Sequence, residues 1–374
     1  MAIGYYFIAL LGIFACITNA ESAGTDQPKI PFGGFGTLGV SHSSQHLGDY
    51  VLDNTIPKGA GRSQNWSAGN DTRIGAQVSA NLTPHTSAVL QVVSEYQADS
   101  TYRPDIEWAN VKYAFTPNVY IRVGRIVLPT FLNSDHRDVG YSYPWIHPPL
   151  ELYRQLSILS SDGADALYRF DIGEAGNSIK AIYGRNTIER PTSKSISKDM
   201  WGIFDTLEYG PATFRVGYQK RESRSQSLLT GITGAWAQNS DLSVGVQYDP
   251  GDWFAMSEWI QRKSTTKISA MYVSAGYRVK KFTPYLTYSQ NSPGSFLPGS
   301  PAPTASSIRS ANRSQSTVSL GVRWDFMKNT DLKLQYDQVK LSDNSNGLLA
   351  NVPTNVILYG TTFHVISVVV DFVF

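Results

Sequence analysis

The stretch Thr362-Phe363-His364-Val365-Ile366-Ser367-Val368-Val369-Val370-Asp371-Phe372-Val373-Phe374 keeps a period of two residues to its last position. His364, Ile366, Val368, Val370, Phe372 and Phe374 share one face; Val365, Ser367, Val369, Asp371 and Val373 share the other. One apolar face, one mixed face and an aromatic at the final position predict the closing strand of an outer-membrane β-barrel. Soluble sheets alternate too, because one face packs on a core, so the rest of the chain has to decide.

Composition leans towards the barrel. The chain has 374 residues, 17% charged and 12% aromatic with 21 tyrosines, and its mean hydropathy is −0.22. Apolar side chains are present but not gathered into runs: after residue 20 nothing approaches the roughly 18 consecutive apolar residues of a membrane helix. The net charge of +2, without a block of Lys or Arg, predicts no nucleic-acid partner. Tyr5 to Thr18 is apolar and ends near small residues, so residues 1–20 read as an export signal peptide and residues 21–374 as the barrel domain. The single cysteine, Cys16, lies in the export segment; cleavage after Ala20 leaves a mature chain unable to form a disulfide.

Alternating runs recur about sixteen times, near 32–42, 71–82, 87–98, 105–115, 118–128, 163–171, 177–185, 199–208, 212–221, 241–249, 252–262, 268–279, 282–290, 315–326, 331–341 and 362–374. Each has about the ten residues of a tilted membrane strand. Connections alternate in length. Short ones fall at 83–86, 116–117, 172–176, 210–211, 250–251, 280–281 and 327–330. Longer ones fall at 43–70, 99–104, 129–162, 186–198, 222–240, 263–267, 291–314 and 342–361. Short periplasmic turns and long extracellular loops have this asymmetry; a soluble sandwich has no reason to sort its loops by side.

Parity assigns the faces. Ile74, Ala76, Val78, Ala80 and Leu82 are expected towards lipid, opposite Arg73, Gln77, Ser79 and Asn81. Outward aromatics gather near strand ends, at Tyr96, Tyr113, Phe170, Tyr248, Trp253, Tyr277 and Tyr336, as interfacial girdles do. One strand resists: Trp201, Ile203, Leu207 and Tyr209 face lipid only if Asp205 does, a costly place for a bare carboxylate unless a bulge or a subunit contact intervenes.

Arg73-Ile74-Gly75, Trp108-Ala109-Asn110-Val111-Lys112-Tyr113, Arg122-Val123-Gly124-Arg125 and the terminal Phe374, within this layout over residues 32–374, give a chain that resembles the Gram-negative porins. The resemblance implies a sixteen-stranded channel, usually a homotrimer, set among outer-membrane lipid and lipopolysaccharide. It also implies Phe372 and Phe374 as a C-terminal assembly signal, and a third external loop, here residues 129–162, folded inward as a constriction. Tyr143-Pro144-Trp145-Ile146-His147-Pro148-Pro149 stands where well-known general porins carry an acidic Pro-Glu-Phe type of segment. Large rings and prolines suit a stiff loop. Asp135, Asp138 and Glu151 would supply its carboxylates, and His136, Arg137, His147 and Arg154 its donors.

Inward cations by parity are Arg73, Lys112, Arg122, Arg169, Lys180, Arg215, Arg278, Arg323 and Lys333; inward anions include Glu95, Asp165, Glu258, Asp325, Asp337 and Asp371. The resemblance places Arg73 at the constriction. A basic wall opposite the loop carboxylates would set a transverse field, whereas pairing within the lumen, Arg323 with Asp325 for instance, would only satisfy the charges.

The expected function is passive diffusion of small hydrophilic solutes and ions, with no cofactor, no metal and no covalent step. Alternatives are a substrate-specific channel for anions, sugars or aromatic acids, with Trp145 and the tyrosines as an apolar slide; a barrel hydrolase using His136 or His147 with Ser134 or Asp135; and a barrel plugged by the third loop for adhesion or scaffolding.

Overall fold

The computed structural model describes residues 30–156, 158–298, 312–343, 345–353, 355–356, 358 and 360–374; the expected signal peptide, with Cys16, lies outside them. Sixteen long strands follow the chain: β1 (Phe32–Ser43), β2 (Arg73–Asn81), β3 (Thr86–Glu95), β4 (Pro104–Thr116), β5 (Val119–Val127), β6 (Ser160–Ile172), β7 (Ala175–Glu189), β8 (Ser193–Tyr209), β9 (Ala212–Ser227), β10 (Ala237–Tyr248), β11 (Trp253–Lys263), β12 (Thr266–Tyr277), β13 (Phe282–Asn291), β14 (Gln315–Met327), β15 (Thr330–Leu341) and β16 (Thr362–Val373). Each pairs antiparallel with the next, and β1 closes the sheet: Phe35 stands opposite Gly75 of β2 on one side and Val373 of β16 on the other. Phe374 is tied into the closure, donating to the Gly34 carbonyl (3.0 Å) and accepting from the Gly34 N–H (2.9 Å). No described helix is long and apolar enough to cross a membrane; strands do the crossing, since a closed barrel leaves no unpaired edge in hydrocarbon.

The period of two sorts the faces. Val78, Val123, Leu286 and Leu320 project outward and exposed, while Thr37, Asp165, Ser274 and Asp371 turn inward and are buried. Outward rings pair near the short-turn rim, Tyr248 with Trp253 at 5.3 Å between centroids and Phe282 with Trp324 at 5.8 Å. Four inward aromatics lie flat over a glycine directly across the ladder: Phe35 on Gly75, Phe204 on Gly217, Phe254 on Gly276 and Tyr285 on Gly321. A Cβ at any of these glycines would fall inside the ring, so small and large residues here specify one another across the pair.

Two expectations about connections are corrected. Residues 186–198 are not a long loop: β7 and β8 continue through them and turn at 190–192. The connection at 263–267 shrinks to the two residues between β11 and β12. Above the membrane both faces of a strand are wet, so pairing continues without the apolar period that marks it lower down. On β8 the register shift lies between Lys198 and Trp201, above Asp205, so Trp201, Ile203 and Asp205 all point outward. Asp205 accepts from Asn177 Nδ2 at 2.9 Å, which offsets part of the cost of placing it there.

Candidate functional site

Residues 128–159, between β5 and β6, run across the inner face of the barrel. They contain single turns at Ser134–His136 and Gly140–Ser142 and one helical turn, α1 (Leu150–Tyr153). Wall side chains hold the segment at many points. Glu258 of β11 accepts from the Leu132 N–H (2.8 Å), Tyr153 Oη (2.7 Å) and Tyr272 Oη (2.9 Å). Trp145 donates through Nε1 to Ser274 Oγ (2.9 Å) and Thr287 Oγ1 (3.2 Å). Arg323 donates to the carbonyls of Tyr141 (2.6 Å) and Tyr143 (2.9 Å), and Lys333 to that of Gly140 (2.7 Å). Gly140 has to be glycine for this approach, because a Cβ would strike the Asp371 carboxylate and the Thr37 hydroxyl.

Between segment and wall is a dry layer: Phe131, Tyr143, Trp145, Leu152, Tyr153 and Leu156 pack on Phe254, Met256, Ile260, Tyr272 and Tyr285. Trp145 is only 1% exposed and Tyr143 2%. The expected apolar slide is therefore not built from these rings; with their polar atoms bonded inward, they serve as packing anchors. Burial pushes the phenols of Tyr143 and Tyr153 well above their usual range, with Asp138 and Glu258 respectively adding to it.

Glu151 departs from its expected role facing a basic wall. It is buried, accepting from Ser289 Oγ, Gln315 Nε2 and Thr317 Oγ1. Arg154 is likewise buried and bonds only neutral oxygens, the carbonyls of Val51 (2.9 Å) and Leu348 and the Asn54 amide (2.8 Å), tying residues 44–72 and 342–361 to this segment. Burial and the neighbouring Arg313 pull its guanidinium down to about 9.

The expected charges divide into two groups. Under the segment, on β14 to β16, Arg323 pairs with Asp325 (2.8 Å) and Asp331 (3.1 Å), and Lys333 with Asp371 (2.8 Å); Asp331, Asp337 and Asp371 are at most 1% exposed. The opposite wall, β4 to β9, is covered in part: Ile126, Ile182, Met200 and Phe204 are buried with Leu128 and Ile158 of the segment, while its cations keep partial or full access. There Arg122 chelates Asp165, Lys112 and Arg122 flank the Tyr120 ring at 5.6 and 5.7 Å, and Arg169 is exposed. Lys180 lies 3.9 Å from Asp135, whose carboxyl is held below its usual range: burial raises it, but Lys180, Arg215 and Arg122 outweigh that. Arg215 donates to the carbonyls of Phe131 and Leu132.

Arg73 meets Asp138 at 3.6 Å and stands across the ladder from Glu95. Beside them a crevice lined by Gln91, Glu107, Trp108, Asp135, His136, Arg137 and Asp138 lies between segment and wall. Arg278 is set apart at the short-turn rim, paired with Asp249 (2.7 Å) and stacked on Phe254 at 5.4 Å. The expected hydrolase pairs are not formed among the described residues: His147 Nε2 meets Tyr50 Oη at 3.3 Å, and Ser134 Oγ accepts from the Phe131 N–H at 2.9 Å. Sequence reasoning missed Ser274, Thr287, Ser289 and Thr317, small hydroxyls on inward positions whose alternation was the only available signal.

A family model described as Gram-negative porin matches residues 8–344. Among solved structures, OmpT, an outer membrane protein of Vibrio cholerae, aligns with a TM-score of 0.58 at 12% identity over 95% of this chain and 100% of that chain. The outer membrane channel DcaP of Acinetobacter baumannii gives 0.58 at 13% identity over 94% and 99%. An anion-selective porin from Comamonas acidovorans gives 0.57 at 13% identity over 93% and 100%. At these identities the likeness is one of fold. No curated protein sequence matches the chain.

Proposed function

The chain belongs to the Gram-negative porin family and forms a channel in the outer membrane, and from that premise we propose how its lumen is divided. Residues 128–159 are a constriction that covers the acidic wall of β14 to β16 and leaves the charged part of the wall of β4 to β9 to line a water-filled path. Small hydrophilic solutes and ions diffuse along that path without a covalent step, and anions are favoured. One observation carries this reading: Asp331, Asp337 and Asp371 are buried beneath the segment with Lys333, and Glu151 is buried within it, whereas on the other side Lys112, Arg122, Arg169, Lys180 and Arg215 outnumber Asp135 and Asp165 around them, with Asp171 and Glu208 inward nearer the short-turn rim. Mobile ions respond to the charges they can approach, since charges beyond about 8 Å are screened at physiological salt. A homotrimer is the assembly proposed, on family membership.

The test is the zero-current potential of reconstituted protein across a KCl gradient. Chloride preference is expected for the natural chain, and a shift towards potassium for the double substitution Lys112→Glu, Arg169→Glu. A natural channel that prefers potassium would contradict the assignment.

A further inference from the structure

The crevice beside Arg73 is built around a break in the ladder between β3 and β4. Gln91 stands opposite Trp108 and Val92 opposite Ile106, so Glu107 is an extra residue on β4. A bulge of this kind re-aims side chains. Ile106 stays outward and exposed, while Glu107 and Trp108, successive in sequence, both line the crevice. In an unbroken strand one of the two would face lipid, because successive side chains alternate.

From the other side the crossing segment presents Arg137. The acids that flank it are held by wall cations, Asp135 by Lys180 at 3.9 Å and Asp138 by Arg73 at 3.6 Å, and Ser134 Oγ accepts from the Phe131 N–H, so the turn that carries Arg137 is fixed at both ends. Arg137 itself has neither hydrogen bond nor ion pair among the described residues; its guanidinium lies over the Tyr153 ring at 5.9 Å, and Nη1 is buried without a partner. Glu107 also has neither hydrogen bond nor ion pair among the described residues, whereas the other nearby carboxylate, Glu95, stands across the ladder from Arg73. Both Glu107 and Arg137 are half-buried, where water competes less for a charged partner than at an exposed site. An anion alone would satisfy Arg137 and leave Glu107 bare, and a cation alone would do the reverse. A zwitterion answers both without changing the net charge: its carboxylate accepts from the guanidinium, and its ammonium donates to Glu107 beside the face of Trp108.

We propose that the crevice between β3–β4 and residues 134–138 is a binding subsite for α-amino acids, the ammonium on Glu107, the carboxylate on Arg137 and the side chain against Trp108. The polarity is set by the bulge, which puts the acid on the wall and leaves the base on the segment. The proposal rests on the channel reading, within which it names one class of solute, and it is independent of which ions the lumen prefers.

The experiment is isothermal titration calorimetry of the intact detergent-solubilised protein with L-leucine and with its two half-molecules, isocaproate, which lacks the ammonium, and isoamylamine, which lacks the carboxylate. Saturable binding of L-leucine is expected, with each half-molecule bound at least about tenfold more weakly, as the loss of one charge-assisted contact requires. Glu107→Gln should weaken L-leucine by a similar factor and leave isocaproate unchanged; Arg137→Gln should weaken L-leucine and leave isoamylamine unchanged. A general loosening of the segment would not produce that crossed pattern, and the ligand series on the natural chain tests the subsite without any variant. No saturable heat with L-leucine at either of two temperatures, a half-molecule that binds as well as the whole, or variants that lose all three ligands alike would overturn the subsite. Conductance of the same preparations separates the two readings: a barrel that binds L-leucine without conducting fails as a channel, and one that conducts but binds no L-leucine fails only here.

Discussion

At the scale of single residues, the lumen is organised by buried acceptors that bind the crossing segment. Glu258 gathers a backbone N–H and two phenols, so its removal strands three donors at once. A stranded buried donor costs ~1–3 kcal/mol. Glu258→Ala is expected to lower the unfolding temperature, followed by the heat-dependent shift in gel mobility, and to make the open-channel current noisier; Glu258→Gln should keep most of both. A quiet, fully stable alanine variant would mean that the carboxylate does not hold the segment.

Asp71 presents the reverse situation. It is buried, and neither of its oxygens has a hydrogen-bond partner among the described residues. Burial pushes its carboxyl up, against the pull of His147 and Arg73. A group raised in the folded state contributes stability below its unfolded value and loses it as pH rises through the folded value. Asp71→Asn should therefore stabilise the barrel at neutral pH, with a gain that vanishes below about pH 4, near the unfolded carboxyl value. A gain of the same size at pH 3 and pH 7 would contradict the assignment.

At the scale of elements, the facing of aromatic and glycine fixes the inner surface of the wall. Gly276→Val would push Phe254 off its neighbour and crowd the Pro284 carbonyl. Overpacking of this kind costs ~1–3 kcal/mol. A lower folded yield in detergent is expected, restored by adding Phe254→Ala; no rescue by the second change would show that the pair is not the cause. The segment itself can be shortened: deleting residues 143–149 removes Trp145 and uncovers Asp337 and Glu151. Single-channel conductance should rise and selectivity move towards cations. Strand positions in the membrane were legible because lipid and lumen impose opposite polarity on alternate residues, as on β16 and β14. The upper parts of β8 and β9 were not, since Ser195 with Ser225 and Ser197 with Ser223 put polar residues opposite one another and leave no apolar period to read.

At the scale of the whole molecule, the barrel separates two charge environments that one sequence carries without distinction. Parity put Arg323 and Arg169 on the same inner face, but only three-dimensional packing decides that Arg323 is bound beneath the crossing segment and Arg169 is left in water. The pairing of Arg323 with Asp325 was readable from two inward positions on one strand. The anchoring of Trp145 was not, because its partners Ser274 and Thr287 lie more than a hundred residues away and look like any lumen hydroxyl. Burial of a charged wall by an apolar segment is a tertiary event, and the local alternation of side chains does not encode it.

The most direct measurement is single-channel recording of the purified, folded protein in a planar bilayer with salt alone on both sides. Discrete, reproducible current steps without any added solute are predicted, because Lys112, Arg122, Arg169 and Lys180 on the wall of β4 to β9 keep access to solvent. A correctly folded barrel that inserts and stays silent would show that the segment seals the lumen and would contradict the channel account.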